Sequence, residues 1–401
     1  MFQSLSVSKT ILKLLRFSRR LWVRVSLMAL LAVIAPAVAA LVAPIIPEGI
    51  SKRFDPSSVM PILTILASGM LAVSTFSLNV MVSAHRAAAA QATPRAHRIL
   101  MTDTTTQTVL ATFIGAFVYS LSAIILFKSN LIAPGTSVTI LGITVIVVVL
   151  VILAMLRWIG HLSDLGSMDA TLRATEAEAR PSLMQTRRTP ALGGSPLTDA
   201  TVLPTQAITV AAPMTGYVQF IDLPSIDTDM KAEAAALYLT TVPGNFVLKG
   251  QTIGHATGLS EDAATDLMQH LVIGDLRTFE QDGAYGLLVL SEIASRALSP
   301  GINDPGTAVE VIARQQRLLW DWAHTPVNDD PPPYPNIFMQ ELSADSLIES
   351  AFASIARDGA DKVEVITFLQ SALDALTDGP HVGLAQAARD MKNHAPFQQR
   401  D

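Results

Sequence analysis

Residues 137–156 read SVTILGITVIVVVLVILAML, a run without one ionisable side chain. Roughly 20 apolar residues are what an α-helix needs to cross the hydrocarbon of a bilayer, so the stretch predicts a membrane span. Three more stretches share the signature. Residues 25–47 hold no Asp, Glu, Lys or Arg, residues 56–85 hold only the titratable His85, and residues 104–127 are again uncharged. The pattern predicts a four-helix transmembrane domain over 21–163, with spans at about 25–47, 59–83, 105–127 and 137–157. Pro36 lacks a ladder donor and should bend the first span. That apolar run is too long for a signal peptide and three more spans come after it, so it is read as retained.

Composition points the same way. Of 401 residues, 50% are hydrophobic and 15% charged, and the mean hydropathy is +0.40. That balance is too apolar for an ordinary soluble chain and excludes a disordered one. Cysteine is absent, which removes disulfides, thiolate nucleophiles and cysteine metal sites. The net charge of −6 conceals a segregation. Residues 1–163 carry 13 Lys/Arg against three acids (Glu48, Asp55 and Asp103), a net of +10, whereas residues 164–401 carry 15 against 31, a net of −16. Six basic residues from Lys9 to Arg24, then Arg86, Arg95, Arg98 and Arg157, flank one side of the spans; only Lys52, Arg53 and Lys128 flank the other. Ten against three predicts that both termini are cytoplasmic, in a bacterial inner (plasma) membrane. The basic tail 1–20 and its collar should meet anionic headgroups. The acidic soluble half disfavours nucleic acid.

Within the second span, Thr64, Ser68, Ala72, Thr75, Asn79 and Ser83 recur at intervals of 4, 4, 3, 4 and 4, which puts them on one helical face. A weaker counterpart in the third span is Thr108, Thr112, Gly115, Tyr119 and Ser122. Two readings stay open: a face on which helices pack closely, or the lining of a polar pathway with Asn79 as its most polar group. No acid or base lies in mid-span, which argues against a proton relay but not against a passive channel.

Residues 84–103, AHRAAAAQATPRAHRILMTD, form a basic elbow. The alanines should extend the second span as helix until Pro94 interrupts it, with Thr93 or Asp103 capping the next helix. The elbow reads either as topology signal and lipid contact, or as a docking surface for the acidic domain. Residues 164–204 begin with a short charged helix, and Pro181, Pro190, Gly193, Gly194, Pro196 and Pro204 then predict a flexible linker.

From Gln206 the period changes to two. AITVAAP (207–213), GYVQFID (216–222) and LYLTTV (237–242) read as strands, with a helix at 225–236. VPGNFVLKGQTIGHATG (242–258) supplies two turns, at Gly244-Asn245 and Gly250. The spacing resembles the half-barrel hairpins of biotinyl/lipoyl-like domains, so 205–258 is expected to be a small β-barrel/sandwich-hybrid-like module. The turn around Pro213–Gly216 lacks the lysine a swinging arm needs. Residues 259–401 then read as a mainly helical part of a cytoplasmic α+β domain. Helices are expected over much of 260–280, at about 284–298, from Pro305 to about Trp322, and two or three more over 344–394; 337–343 reads as a further strand.

Between two of these helices lies SPGINDPGT, 299–307. Asp304 fits an N-cap with Pro305 at the first helical position. Arg277, Asp282, Glu292, Arg296, Ser299, Asn303, Asp304 and Thr307 together form either an internal set of caps and salt bridges, with Glu292 and Arg296 paired four apart, or a ligand loop in which a helix N-terminus holds an anion.

Nearly the whole chain resembles a bacterial family of predicted membrane proteins, domain of unknown function 2254. Its most specific element here is Arg277-Thr278 … Gln281-Asp282 … Ile293-Ala294-Ser295-Arg296-Ala297-Leu298-Ser299-Pro300-Gly301-Ile302-Asn303-Asp304-Pro305 … Thr307-Ala308. Gly216-Tyr217-Val218-Gln219 … Ile221-Asp222, Pro243–Val247 and Phe113-Ile114-Gly115 … Phe117-Val118-Tyr119 support it. Gly306 and the Ala-rich elbow depart from the family pattern. The resemblance implies the topology and assigns no activity.

These readings favour an oligomeric channel-like or transport-associated protein with a cytoplasmic regulatory domain. The alternative is a membrane-anchored binding or scaffold module that recognises a small anion or a protein partner through 299–307. No catalytic, metal or cofactor set is expected: the sequence holds no H-E-x-x-H, no G-x-x-x-x-G-K and no G-x-S-x-G. A homo-oligomer is the expected assembly.

Overall fold

Four helices among the described residues of the computed structural model are long and apolar enough to cross a membrane. The described residues are 16–17, 21–42, 56–91, 93–101, 103–129, 136–164, 166–198, 201, 203–204, 206–230, 235–328 and 330–394. The expected basic tail 1–20 therefore lies largely outside them. The chain divides into two compact units, one of Lys13–Gln91 with Leu100–Ala170, the other containing Ala92–Ile99 and Thr171–Asp401.

The first unit holds α1 (Leu21–Val42) and α2 (Pro56–Gln91). The short α3 (Pro94–Met101) is divided between the two units, and α4 (Thr104–Lys128) and α5 (Thr136–Asp164) complete the long apolar helices. The candidate spans are Trp22–Val42, Ser57–Ala84, Thr104–Lys128 and Thr136–Leu162. α1 runs as continuous helix through Pro36. The alanine run extends α2 to Gln91, as its high helix propensity dictates. Asp103 caps α4, accepting from the backbone N–H of Thr105 and Thr106.

α4 is the central helix of this unit and touches α1, α2 and α5. Its small residues, among them Ala111, Ala116 and Ala123, are buried and let neighbouring backbones approach. Tyr119 ties it to α5: its hydroxyl donates to the Ile140 carbonyl at 3.0 Å and lies 3.0 Å from Thr144 Oγ1.

The second unit begins with α6 (Met168–Arg188), followed by a 3-10 turn and β1 (Gly194–Pro196). The expected linker 164–204 is thus mostly ordered secondary structure. Leu172, Thr175, Ala179 and Leu183, spaced 3, 4 and 4, form a buried face. Packing on that face overrides Pro181, which sits inside the helix. Trp322 Nε1 also donates to Thr186 Oγ1 at 3.1 Å.

The β part comprises β2 (Ile208–Ala211), β3 (Gly216–Ile221), α7 (Leu223–Met230), β4 (Ala236–Leu239), β5 (Phe246–Val247) and β6 (Thr252–Thr257). It continues with α8 (Glu261–Asp266) and β7 (Leu271–Gly274). The helical bundle comprises α9 (Tyr285–Ala297), α10 (Pro305–His324), α11 (Ala344–Asp358), α12 (Val363–Thr377) and α13 (Val382–His394). β8 (Tyr334–Met339) interrupts it.

The strands form two open sheets, β1-β8-β4-β6-β2 and β5-β3-β7, so the expected barrel is not what forms. The hairpin strands divide between the sheets. β8 arrives from far along the chain and pairs parallel to both β4 and β1, and β1 and β2 end the sheet among the described residues. The module also draws β7 and β8 from beyond 258. The expected helix over 260–280, capped by Ser260, continues from α8 through a 3-10 turn only to His270, because burial of Leu271 beside Ile221 favours pairing with β3. A common core of Val210, Val218, Ile226, Leu237, Leu239 and Ile337 fills the space between these elements.

Candidate functional site

The family motif folds into a compact polar knot at the start of α9. Arg277 donates from Nε and Nη2 to the Asp282 carboxylate at 2.8 and 3.0 Å. Its guanidinium also lies 5.0 Å from the centre of the Tyr285 ring. Asp282, buried, in turn accepts from the Tyr285 N–H at 3.1 Å. Gln281 closes on the edge of β3: its amide donates to the Ile221 carbonyl at 3.1 Å and its oxygen accepts from the Ile221 N–H at 2.8 Å. Gly244, at φ +99°, packs on the same carboxylate; a Cβ there would stand 2.8 Å from Asp282 Cγ. Three separated stretches of the family pattern thus meet in one cluster. Burial pushes the Asp282 carboxyl above its ordinary value, against the opposing pull of Arg277 and the backbone donors.

The loop 299–307 satisfies itself by local bonds. Ser299 Oγ donates to the Arg296 carbonyl at 2.6 Å, and the N–H groups of Asn303 and Asp304 reach the carbonyls of Ser299 and Ala297, both at 2.8 Å. Asp304 caps α10, accepting from the Thr307 N–H at 3.1 Å and the Thr307 hydroxyl at 2.6 Å. Those bonds hold its carboxyl below the ordinary value. Asn303 adopts φ +50°, a left-handed turn that Asn tolerates. The Arg277–Asp282 pair and the Asp304–Thr307 cap share no bond. Glu292, expected to pair with Arg296, forms an ion pair with Arg95 of the elbow; Arg296 is half-buried on the same helix. Arg95 and Glu292 belong to the same compact unit.

On α2, the residues Thr64, Ser68, Thr75, Asn79 and Ser83 are all exposed. The face that packs within the chain is instead Val59, Leu63, Leu66, Met70 and Ser74. The Thr64, Ser68 and Thr75 hydroxyls donate to carbonyls one turn back, those of Met60, Thr64 and Leu71. The Asn79 carboxamide has no partner among the described residues.

Sequence reasoning missed a charged cleft. It lies between α6 and α10, encloses about 570 Å³, and is lined by Arg173, Glu176, Arg180, Glu310, Arg314 and Arg317, with Ala177 and Ala313. Glu176 forms the floor, its side chain 8% exposed. It accepts from Arg180 Nη2 at 3.3 Å, Arg314 Nη1 at 3.0 Å, Arg317 Nε at 2.9 Å and also Arg317 Nη2. Arg180 reaches on to Asp321 at 2.5 Å and Arg314 to Glu310 at 2.7 Å. Burial pushes the Glu176 carboxyl up, but hydrogen bonds from Arg317, Arg314 and Arg180 hold it below its ordinary value. The sequence signal for the cleft is R-x-x-E-A-x-x-R at 173–180 facing E-x-x-A-R-x-x-R at 310–317. Expecting a linker over 164–204 hides it.

A family model described as a predicted membrane protein, DUF2254, matches residues 18–375. Similar proteins include an uncharacterized protein, MT1328, of Mycobacterium tuberculosis and another, Mb1321c, of Mycobacterium bovis. Each is 35% identical over 116 residues, covering 27% of this chain and 22% of the relative. The chain thus spans about a fifth of the length of these relatives. No solved structure matches.

Proposed function

The chain belongs to the DUF2254 family of predicted membrane proteins, and from that premise we propose that it is an oligomeric, channel-like or transport-associated protein of the bacterial inner membrane. The polar face of α2 is turned towards neighbouring copies around a polar pathway, and the unit from Thr171 onward is a cytoplasmic regulatory domain. The observation that carries this reading is Asn79, an exposed carboxamide inside a candidate span. Leaving an amide unpaired in hydrocarbon costs roughly 2–7 kcal/mol. A partner subunit or lumenal water removes that cost. The neighbouring hydroxyls, satisfied by their own helix, tolerate either surrounding. The ten-to-three distribution of basic residues supports the cytoplasmic orientation.

The test compares flux into liposomes for the wild type and Asn79→Leu. Because the chain has no cysteine, Asn79→Cys supplies a unique thiol. The reading expects flux that Asn79→Leu abolishes, and a disulfide between copies of the Asn79→Cys variant on oxidation. Absence of both flux, under any gradient or tension, and cross-link sinks it.

A second reading, a binding module that uses 299–307, draws support from the exposure of Ile302, Asn303 and Asp304. It is weaker because the Asp304 carboxylate is engaged by Thr307.

A further inference from the structure

α13 begins on a histidine, where Ser, Thr, Asp or Asn is the usual cap. The His381 carbonyl accepts from the Ala385 N–H at 3.0 Å, and its imidazole Nδ1 accepts from the Leu384 N–H at 3.0 Å. His381 is therefore the N-cap, with its ring in the place of a capping hydroxyl or carboxylate. The backbone leaves room for that ring. A Cβ at Gly383 would stand 3.2 Å from His381 Cε1 and 3.5 Å from Nδ1, so a side chain at the second helical position would crowd an imidazole folded over the first turn. The Trp322 ring of α10 packs against the imidazole, with centroids 4.7 Å apart.

A ring nitrogen accepts a hydrogen bond only while it is unprotonated, so this cap depends on pH as a Ser or Asn cap does not. The surroundings oppose a positive charge on it. The ring is partly buried, Arg187 at the end of α6 acts on it, and the N–H groups of a helix start carry partial positive charge. The Arg187 guanidinium lies 5.5 Å from the centre of the Trp322 ring. Trp322 itself is neutral, and α11 presents the Ala344 methyl to Gly383. Among the described residues no carboxylate offsets Arg187 at the imidazole. Burial, and then Arg187, hold His381 below its ordinary value. The other described histidines close to a carboxylate, His161 beside Asp103 and His270 beside Asp229, are in the opposite position: protonation strengthens their contacts.

We propose that His381 is an acid-operated latch on α13. Neutral, it fastens the first turn; protonated, it loses the Leu384 bond, repels Arg187 and the helix start, and lets the turn open. Leu384, Ala385, Ala387 and Ala388 form the buried face of α13, which packs on α11 and α12. Opening therefore loosens the cover over those two helices and bares apolar surface. The folded-state value lies below the unfolded one. The contribution of the latch is thus complete above the ordinary histidine value and is lost as pH falls through the folded one. The latch does not depend on whether α2 lines a pathway.

The test is hydrogen exchange, read by mass spectrometry over 380–394 in the full chain in nanodiscs. The pH runs from neutral to about two units below the ordinary histidine value. Wild type, His381→Asn and Arg187→Gln are compared at each pH, which cancels the intrinsic pH dependence of exchange. Asn caps a helix without titrating in this range. The expected result is equal protection of wild type and His381→Asn at neutral pH, then a loss confined to the wild type of up to about tenfold per pH unit. Arg187→Gln removes the opposing cation, so its loss should begin at higher pH. Wild-type protection that tracks His381→Asn at every pH overturns the proposal. If His381→Asn does not fold, an onset unmoved by Arg187→Gln overturns it and an upward shift supports it.

Discussion

Asp304 and Asp282 each accept a hydrogen bond from a backbone N–H at the start of a helix, yet their surroundings give them opposite electrostatics. Asp304 is exposed and held below its ordinary pKa by Thr307. Its replacement by Ala should cost about 1 kcal/mol of stability, measured by thermal unfolding in detergent. Asp282 is buried and depends on Arg277. Arg277→Met leaves that carboxylate without its cation and should destabilise by about 3–5 kcal/mol; an unchanged unfolding temperature would refute the pairing. The pH signs differ as well. Glu176 is held below its ordinary value in the fold. Its stabilising contribution is therefore complete above the unfolded-state pKa and is lost as pH falls through the folded one. Asp282 is raised, so its contribution declines as pH rises from the ordinary aspartate value through the raised one. Glu176→Gln should flatten the acid-side fall in melting temperature; a curve that keeps its wild-type slope contradicts the three-arginine contact.

At the scale of elements, the decisive pair is α6 and α9. A Cβ placed at Gly286 would lie 2.8 Å from Ala179 Cα, so the two helices touch backbone to side chain. Gly286→Ala should cost about 1–3 kcal/mol through overpacking. The same protein should resist proteolysis across 168–188 until it unfolds; cleavage there in the folded state would restore the linker reading. Many other elements are legible in the sequence. The Asp304-Pro305 start of α10, the Ser260 cap, the alanine extension of α2 and the interruption at Pro94 each rest on local backbone chemistry, which sequence displays directly. The misreadings share one cause. In sequence β7 reads as helix and the C-terminal part of α6, from Pro181, as linker, because Leu271 and the 172–183 face acquire their state from partners distant along the chain. The candidate site divides in the same way. The Asp304 cap is local and readable, whereas the contacts of Asp282 with Arg277 and Gly244, Glu292 with Arg95, and Glu176 with three arginines depend on how the chain folds back.

For the molecule as a whole, the proposed orientation rests on the charge segregation. A fluorescent reporter fused after Asp401 should be cytoplasmic and bright, and alkaline phosphatase at the same place inactive; the reverse would refute the orientation. Four long uncharged runs and the +10/−16 division are properties of composition along the chain. The cost of burying charge in hydrocarbon does not depend on which residues later become neighbours, so sequence by itself determined the four candidate spans and the family. Only the tertiary structure decided that the sheets stay open, that the polar face of α2 points away from its own bundle, and that arginines on α6 and α10 converge on Glu176. Each of those depends on pairing or packing between residues far apart in the chain, and neither periodicity nor composition specifies the partner.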